Sequence, residues 1–69
     1  MNQLGFYIKM KSATQAEKAR VFLMRNGIRS SAERVTGKGG CSFRLHIFSD
    51  RKGEVCSLLS NIGISCDLL

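Results

Sequence analysis

Cys41 follows Gly37-Lys38-Gly39-Gly40, a basic glycine turn that delivers a thiol onto the start of an apolar alternation. Glycine frees the backbone to take positive φ, so the N–H groups of Gly39 and Gly40 can converge on an anion beside the Lys38 ammonium. Positive charge and oriented amides both favour thiolate, the reactive form of a cysteine. Cys41 is therefore the candidate catalytic or carrier thiol, with Lys38, Gly39 and Gly40 as its thiolate-stabilising neighbours. The bland alternative for Cys41 is an apolar cap at the end of a strand. Cys56 and Cys66 complete a set of three cysteines without a C-x-x-C pair, and the lone His46 does not complete a zinc pattern, so no metal is expected. An odd cysteine count without a visible secretion signal reads as free thiols in a reducing cytoplasm. Cys66 reads as an inert inward-facing residue and Cys56 as packing on a helix flank. His46 could act as a general base only with a partner acid or nucleophile, and the spacing offers none; otherwise it is a solvated or interface histidine.

The elements that must position these groups come in two similar halves. Phe6, Ile8 and Met10 alternate with Tyr7, Lys9 and Lys11, the pattern of a half-buried strand over Phe6 to Ser12. Ser12 or Thr14 can cap a helix, with Glu17 completing a capping box from Thr14, and the helix is predicted over 15–26 with Gly27 as its left-handed stop. A weaker, more polar strand is predicted over 28–35. In the second half Cys41, Phe43, Leu45 and Ile47 alternate with Ser42, Arg44, His46 and Phe48. A helix is predicted over 51–61, where Val55, Leu58, Leu59 and Ile62 form one apolar stripe. Gly63 ends it, and Ile64, Cys66 and Leu68 read as a closing strand. Phe6-x-Ile8-x-Met10-x-Ser12 matches Phe43-x-Leu45-x-Ile47-x-Ser49, and Asn26-Gly27-Ile28 answers Ile62-Gly63-Ile64.

Two βαβ-like halves joined by a glycine turn describe an α+β, ferredoxin-like β-α-β-β-α-β two-layer sandwich: a four-stranded antiparallel or mixed sheet with two helices on one face. Right-handed crossovers would make the first and third strands central, parallel neighbours. The other sheet face must then meet solvent or a partner. Parity gives that binding face Tyr7, Lys9 and Lys11 from the first strand, Arg44, His46 and Phe48 from the third, and Arg29 from the second, with Ser65 and Asp67 as further contributors. Aromatics interleaved with cations are what RNA-recognition sheets use to stack bases, but the third strand lacks the paired aromatic spacing of that family's signature. Homodimerisation ranks ahead of RNA on this reading, because Tyr7 and Phe48 are costly to leave wet.

Size and charge narrow the function classes. With 69 residues the chain reads as a single domain, 1–69, with no room for a cleft framed by several loops. That disfavours a large independent enzyme and favours a carrier, binding module or small accessory subunit, with no cofactor expected. A net charge of +6 favours anionic partners, or serves solubility alone. No apolar run approaches a membrane span, and Met1-Asn2-Gln3-Leu4-Gly5 lacks a basic segment followed by an apolar one, so the expected location is the cytoplasm.

Over nearly its whole length the arrangement resembles a family of short bacterial and archaeal proteins of unknown function described as sulfur/selenium carrier-like. The resemblance rests on the Gly-Ile step at Gly27-Ile28, the Gly40-Cys41 pair opening the strand Phe43-Arg44-Leu45-His46-Ile47, and the second step at Gly63-Ile64. Members tend to carry Gly-Cys-Gly and a proline in the preceding turn, whereas Ser42 follows the cysteine here and the chain contains no proline. The resemblance implies a carrier thiol at Cys41, holding sulfur or selenium as a persulfide-type adduct, and a protein partner that donates or accepts it. The competing expectation is a non-catalytic module whose basic open face binds a protein, a second copy or nucleic acid. A small-ligand sensor or dimeric regulator follows from fold analogy alone.

Overall fold

A computed structural model describes residues 5–69; residues 1–4, read above for a leader segment, lie outside it. The order is β1 (Phe6–Met10), α1 (Ala13–Arg25), β2 (Ser30–Gly37), β3 (Gly40–Ile47), α2 (Lys52–Asn61) and β4 (Asp67–Leu68). The first strand behaves as its alternation dictates: Phe6, Ile8 and Met10 are buried, while Lys9 is exposed.

Helix α1 begins two residues earlier than the sequence pattern predicts. Ser12 is extended and its Oγ accepts from the Gln15 backbone N–H at 3.1 Å, while Gln15 Oε1 accepts from the Lys11 N–H at 2.8 Å. Thr14 thus lies inside the helix, and Glu17 pairs with Arg20 instead of closing a box with Thr14.

The Gly-Ile steps are one device used twice. At the end of α1, Ile28 N–H donates to Leu23 O at 2.8 Å and Gly27 N–H to Met24 O at 3.1 Å. At the end of α2, Ile64 N–H donates to Leu59 O at 2.9 Å and Gly63 N–H to Ser60 O at 3.1 Å. Gly27 and Gly63 sit at φ +80° and +75°. This six-to-one and five-to-two bonding is the Schellman motif, and its usual apolar contact is supplied by Ile28 and Ile64, each 5% exposed. Ile28 is therefore part of a helix terminus, and β2 starts later and runs further than its sequence predicts.

All strand pairs are antiparallel and the sheet order is β2-β3-β1-β4. β1 and β3 are central neighbours as expected, but antiparallel rather than parallel. The crossover through α1 skips one place, so β2 runs parallel to β1 without touching it, and the β2–β3 hairpin returns β3 into the gap. One core joins Ile8, Leu45 and Ile47 from the sheet to Leu23 of α1 and to Val55 and Leu59 of α2, so both helices share one layer. β4 is only two residues long. The segment before it is held by a disulfide between Cys56 on α2 and Cys66, with Cα atoms 5.2 Å apart, inside the range a disulfide spans. The expectation of three free thiols is corrected here: Cys56 on the helix flank and Cys66 packed against the core lie within bonding reach of each other.

Candidate functional site

The β2–β3 hairpin turns through Lys38-Gly39, with Gly37 opposite Gly40. Gly40 takes φ +109°, so the strand opens from a backbone conformation that favours glycine. Counting back from that turn puts Thr36 opposite Cys41 and Arg34 opposite Phe43. Arg34 is thus the diagonal neighbour of Cys41 on the helix-facing side, and its Nη2 donates to Cys41 Sγ at 3.0 Å. Cys41 is free and exposed. Its parity points to the helical layer, but the hairpin runs past the start of α1 and no described residue covers it.

Between the hairpin and α1 lies a groove of about 450 Å³ with a largely apolar lining from Ala13, Ala16, Ala32 and Phe43, and with Arg34 and Glu17 on its walls. The three groups expected to stabilise the thiolate fall in the turn: Lys38 and Gly39 form its two central residues, and Gly40 pairs back to Gly37. Among the described residues the hydrogen bond to the sulfur comes from Arg34, which the sequence reading passed over. The signal was available, because a two-residue loop at Lys38-Gly39 fixes the hairpin register.

The opposite sheet face carries a second constellation. Tyr7 and His46 are cross-strand partners with ring centroids 4.4 Å apart and nearly parallel, and His46 meets Phe48 at 4.3 Å. The Arg44 guanidinium carbon lies 4.3 Å from the Tyr7 centroid. Glu33 on β2, another residue absent from the sequence reading, binds Arg44 Nε at 2.8 Å and brings its second oxygen to 3.8 Å from His46 Nδ1. So His46 does face an acid, delivered from the neighbouring strand and hence invisible in local spacing.

Lys9 lies on the same face, in register with Asp67 of β4. Lys11 is exposed just beyond β1. Arg29 precedes β2 instead of belonging to it; its carbonyl accepts from the Phe48 N–H at 2.9 Å, and it flanks Phe48 in a shallow depression with Ser30. Phe48 itself lies past the end of β3 and is 47% exposed.

On α1, where Glu17 lines the groove, the Arg20 guanidinium bonded to Glu17 holds that carboxyl below its ordinary range, and Glu17 in turn raises Arg20. Among the described residues no cluster of His, Cys, Asp and Glu is arranged to hold a metal ion. No described helix is long and apolar enough to cross a membrane. Compared with protein families, curated proteins and solved structures, the chain matches none.

Proposed function

We propose that this chain is a small thiol-based carrier or accessory protein that holds sulfur, or by the same chemistry selenium, on Cys41. The observation that carries the reading is the exposed Cys41, outside any disulfide, with the Arg34 guanidinium 3.0 Å from its sulfur, beside an open apolar groove. A cationic donor at that distance suits an anionic sulfur, whether thiolate or persulfide. The finer architectural reading is the ferredoxin-like sandwich, supported by the β-α-β-β-α-β order with β1 and β3 central.

In the loading step the Cys41 thiolate attacks the outer sulfur of a donor protein's persulfide. The donor's S–S bond breaks, a new S–S bond forms on Cys41, and the donor leaves as its thiolate. No electron is gained or lost overall, so no external oxidant is needed. Unloading is the same exchange onto an acceptor thiolate. The implied partner is therefore an enzyme that presents or receives a persulfide, and Arg34 stays beside whichever sulfur carries the charge.

The test is incubation of the whole protein with a low-molecular-weight alkyl persulfide, followed by intact-mass and peptide mapping. The reading expects one added sulfur atom on Cys41, lost in Cys41→Ser. An adduct that persists undiminished in Cys41→Ser, or none on the wild type, overturns it.

A further inference from the structure

We propose that the sheet face opposite the helices binds single-stranded nucleic acid. Among the described residues nothing covers this face, and its centre is a continuous ladder of rings: Tyr7 stacks on His46 at 4.4 Å, and Phe48 meets His46 at 4.3 Å, tilted by 46°. Phe48, at the open end, leaves nearly half its surface to solvent. Every nucleobase has a π face, so such a ladder extends by adding a base without reading its identity.

The charge around the ladder selects what is added. Glu33 on this face is engaged by Arg44 at 2.8 Å, and Arg44 also lies over the Tyr7 ring. Among the described residues Lys9, Lys11 and Arg29 form no ion pair. Lys9 and Lys11 extend from β1 on one side of the ladder, and Arg29 flanks Phe48 at its open end. Free cations beside a run of aromatic rings with an exposed end match a phosphate backbone that carries bases.

A second copy of the chain fits worse. Face-to-face pairing would set these cations against their own equivalents in two molecules that each carry a net +6. An acidic protein surface would answer the charge but leave the ring ladder unused. This surface is on the opposite side of the sheet from Cys41, so the inference stands independently of the thiol chemistry.

The experiment is fluorescence anisotropy of the whole protein with a labelled single-stranded oligonucleotide, in RNA and DNA arms, at several salt concentrations. Binding is expected in at least one arm, and Phe48→Ala should weaken it about tenfold, the scale of one stacked base. Phe48→Leu, which keeps apolar bulk without the π face, should weaken it nearly as much. Lys9→Glu with Lys11→Glu should flatten the salt slope by about two units. Lys18→Glu with Arg25→Glu makes the same charge change on α1 and should leave most of the binding in place. Cys41→Ser should change nothing.

No binding in either arm overturns the proposal. So does equal weakening by both charge pairs with Phe48→Ala silent, the behaviour of a plain polycation. Equal affinity for a polyglutamate probe overturns it in favour of an acidic protein partner, and a dimer that Phe48→Ala dissolves overturns it in favour of self-association.

Discussion

Arg34 reaches Cys41 across the hairpin from an exposed position, which sets the size of effect to expect. An exposed charged contact is worth at most about 1 kcal/mol, or roughly fivefold in a rate or equilibrium. Arg34→Gln should therefore slow alkylation of Cys41 by iodoacetamide at neutral pH by up to about fivefold, whereas Lys38→Gln should change it less. A larger effect at Lys38 than at Arg34 would reassign the stabilising group to the turn. The Glu17–Arg20 pair gives a second expectation at this scale. Its hydrogen bond lowers the Glu17 carboxyl in the folded state. The stabilisation is thus present above the ordinary carboxylate value and is lost as pH falls through the lowered one. Following the Glu17 side-chain carboxyl carbon by NMR, Arg20→Ala should move the titration midpoint upward. An unchanged midpoint would show that the pair does not persist in solution.

At the scale of elements, the two Gly-Ile steps carry the clearest consequence. Gly27 and Gly63 lie in the left-handed region, yet a Cβ built at either meets no atom within 4 Å. Alanine there adds backbone strain without a clash, so Gly27→Ala and Gly63→Ala should each cost about 1–2 kcal/mol in urea unfolding. Gly5 combines φ +131° with a Cβ position only 2.5 Å from the Ile47 carbonyl oxygen, so Gly5→Ala should cost more than either. Equal losses at all three positions would mean that backbone conformation alone governs them.

These steps were legible because a Schellman terminus is local: a glycine and the apolar residue after it announce it. The β1 and β3 alternations were legible for the same reason, and so was the free face they leave. What escaped the sequence was pairing. Ile28 reads as strand because its apolarity suits a strand and a helix terminus equally well. Glu33 and Arg34 look like ordinary strand polar residues until the hairpin register sets them beside Arg44 and Cys41. The antiparallel contact of β1 with β3 depends on each crossover skipping a place, which no single segment encodes.

For the molecule as a whole, the small size makes cross-linking matter. A chain of 69 residues has a modest core, and β4 adds only two residues to the sheet. The Cys56–Cys66 bond ties α2 to the segment that leads into β4 across a sequence separation of 10. Closing a loop of that size removes unfolded-state entropy worth roughly 2–3 kcal/mol. Replacing both cysteines with serine should cost about that much in urea unfolding, and adding a thiol reductant to the wild type should cost a similar amount. The double variant should be insensitive to reductant. Because β4 pairs only with β1, amide exchange should accelerate first at Leu69, whose N–H donates to Tyr7 O at 2.9 Å, before the β1–β3 ladder responds. Uniform acceleration across β1, β3 and β4 would instead mean that the cross-link supports the whole sheet and not its last strand. Identical urea midpoints with and without reductant would show that the bond contributes nothing, leaving Ile64 and its Schellman contact to hold the chain's closing segment in place.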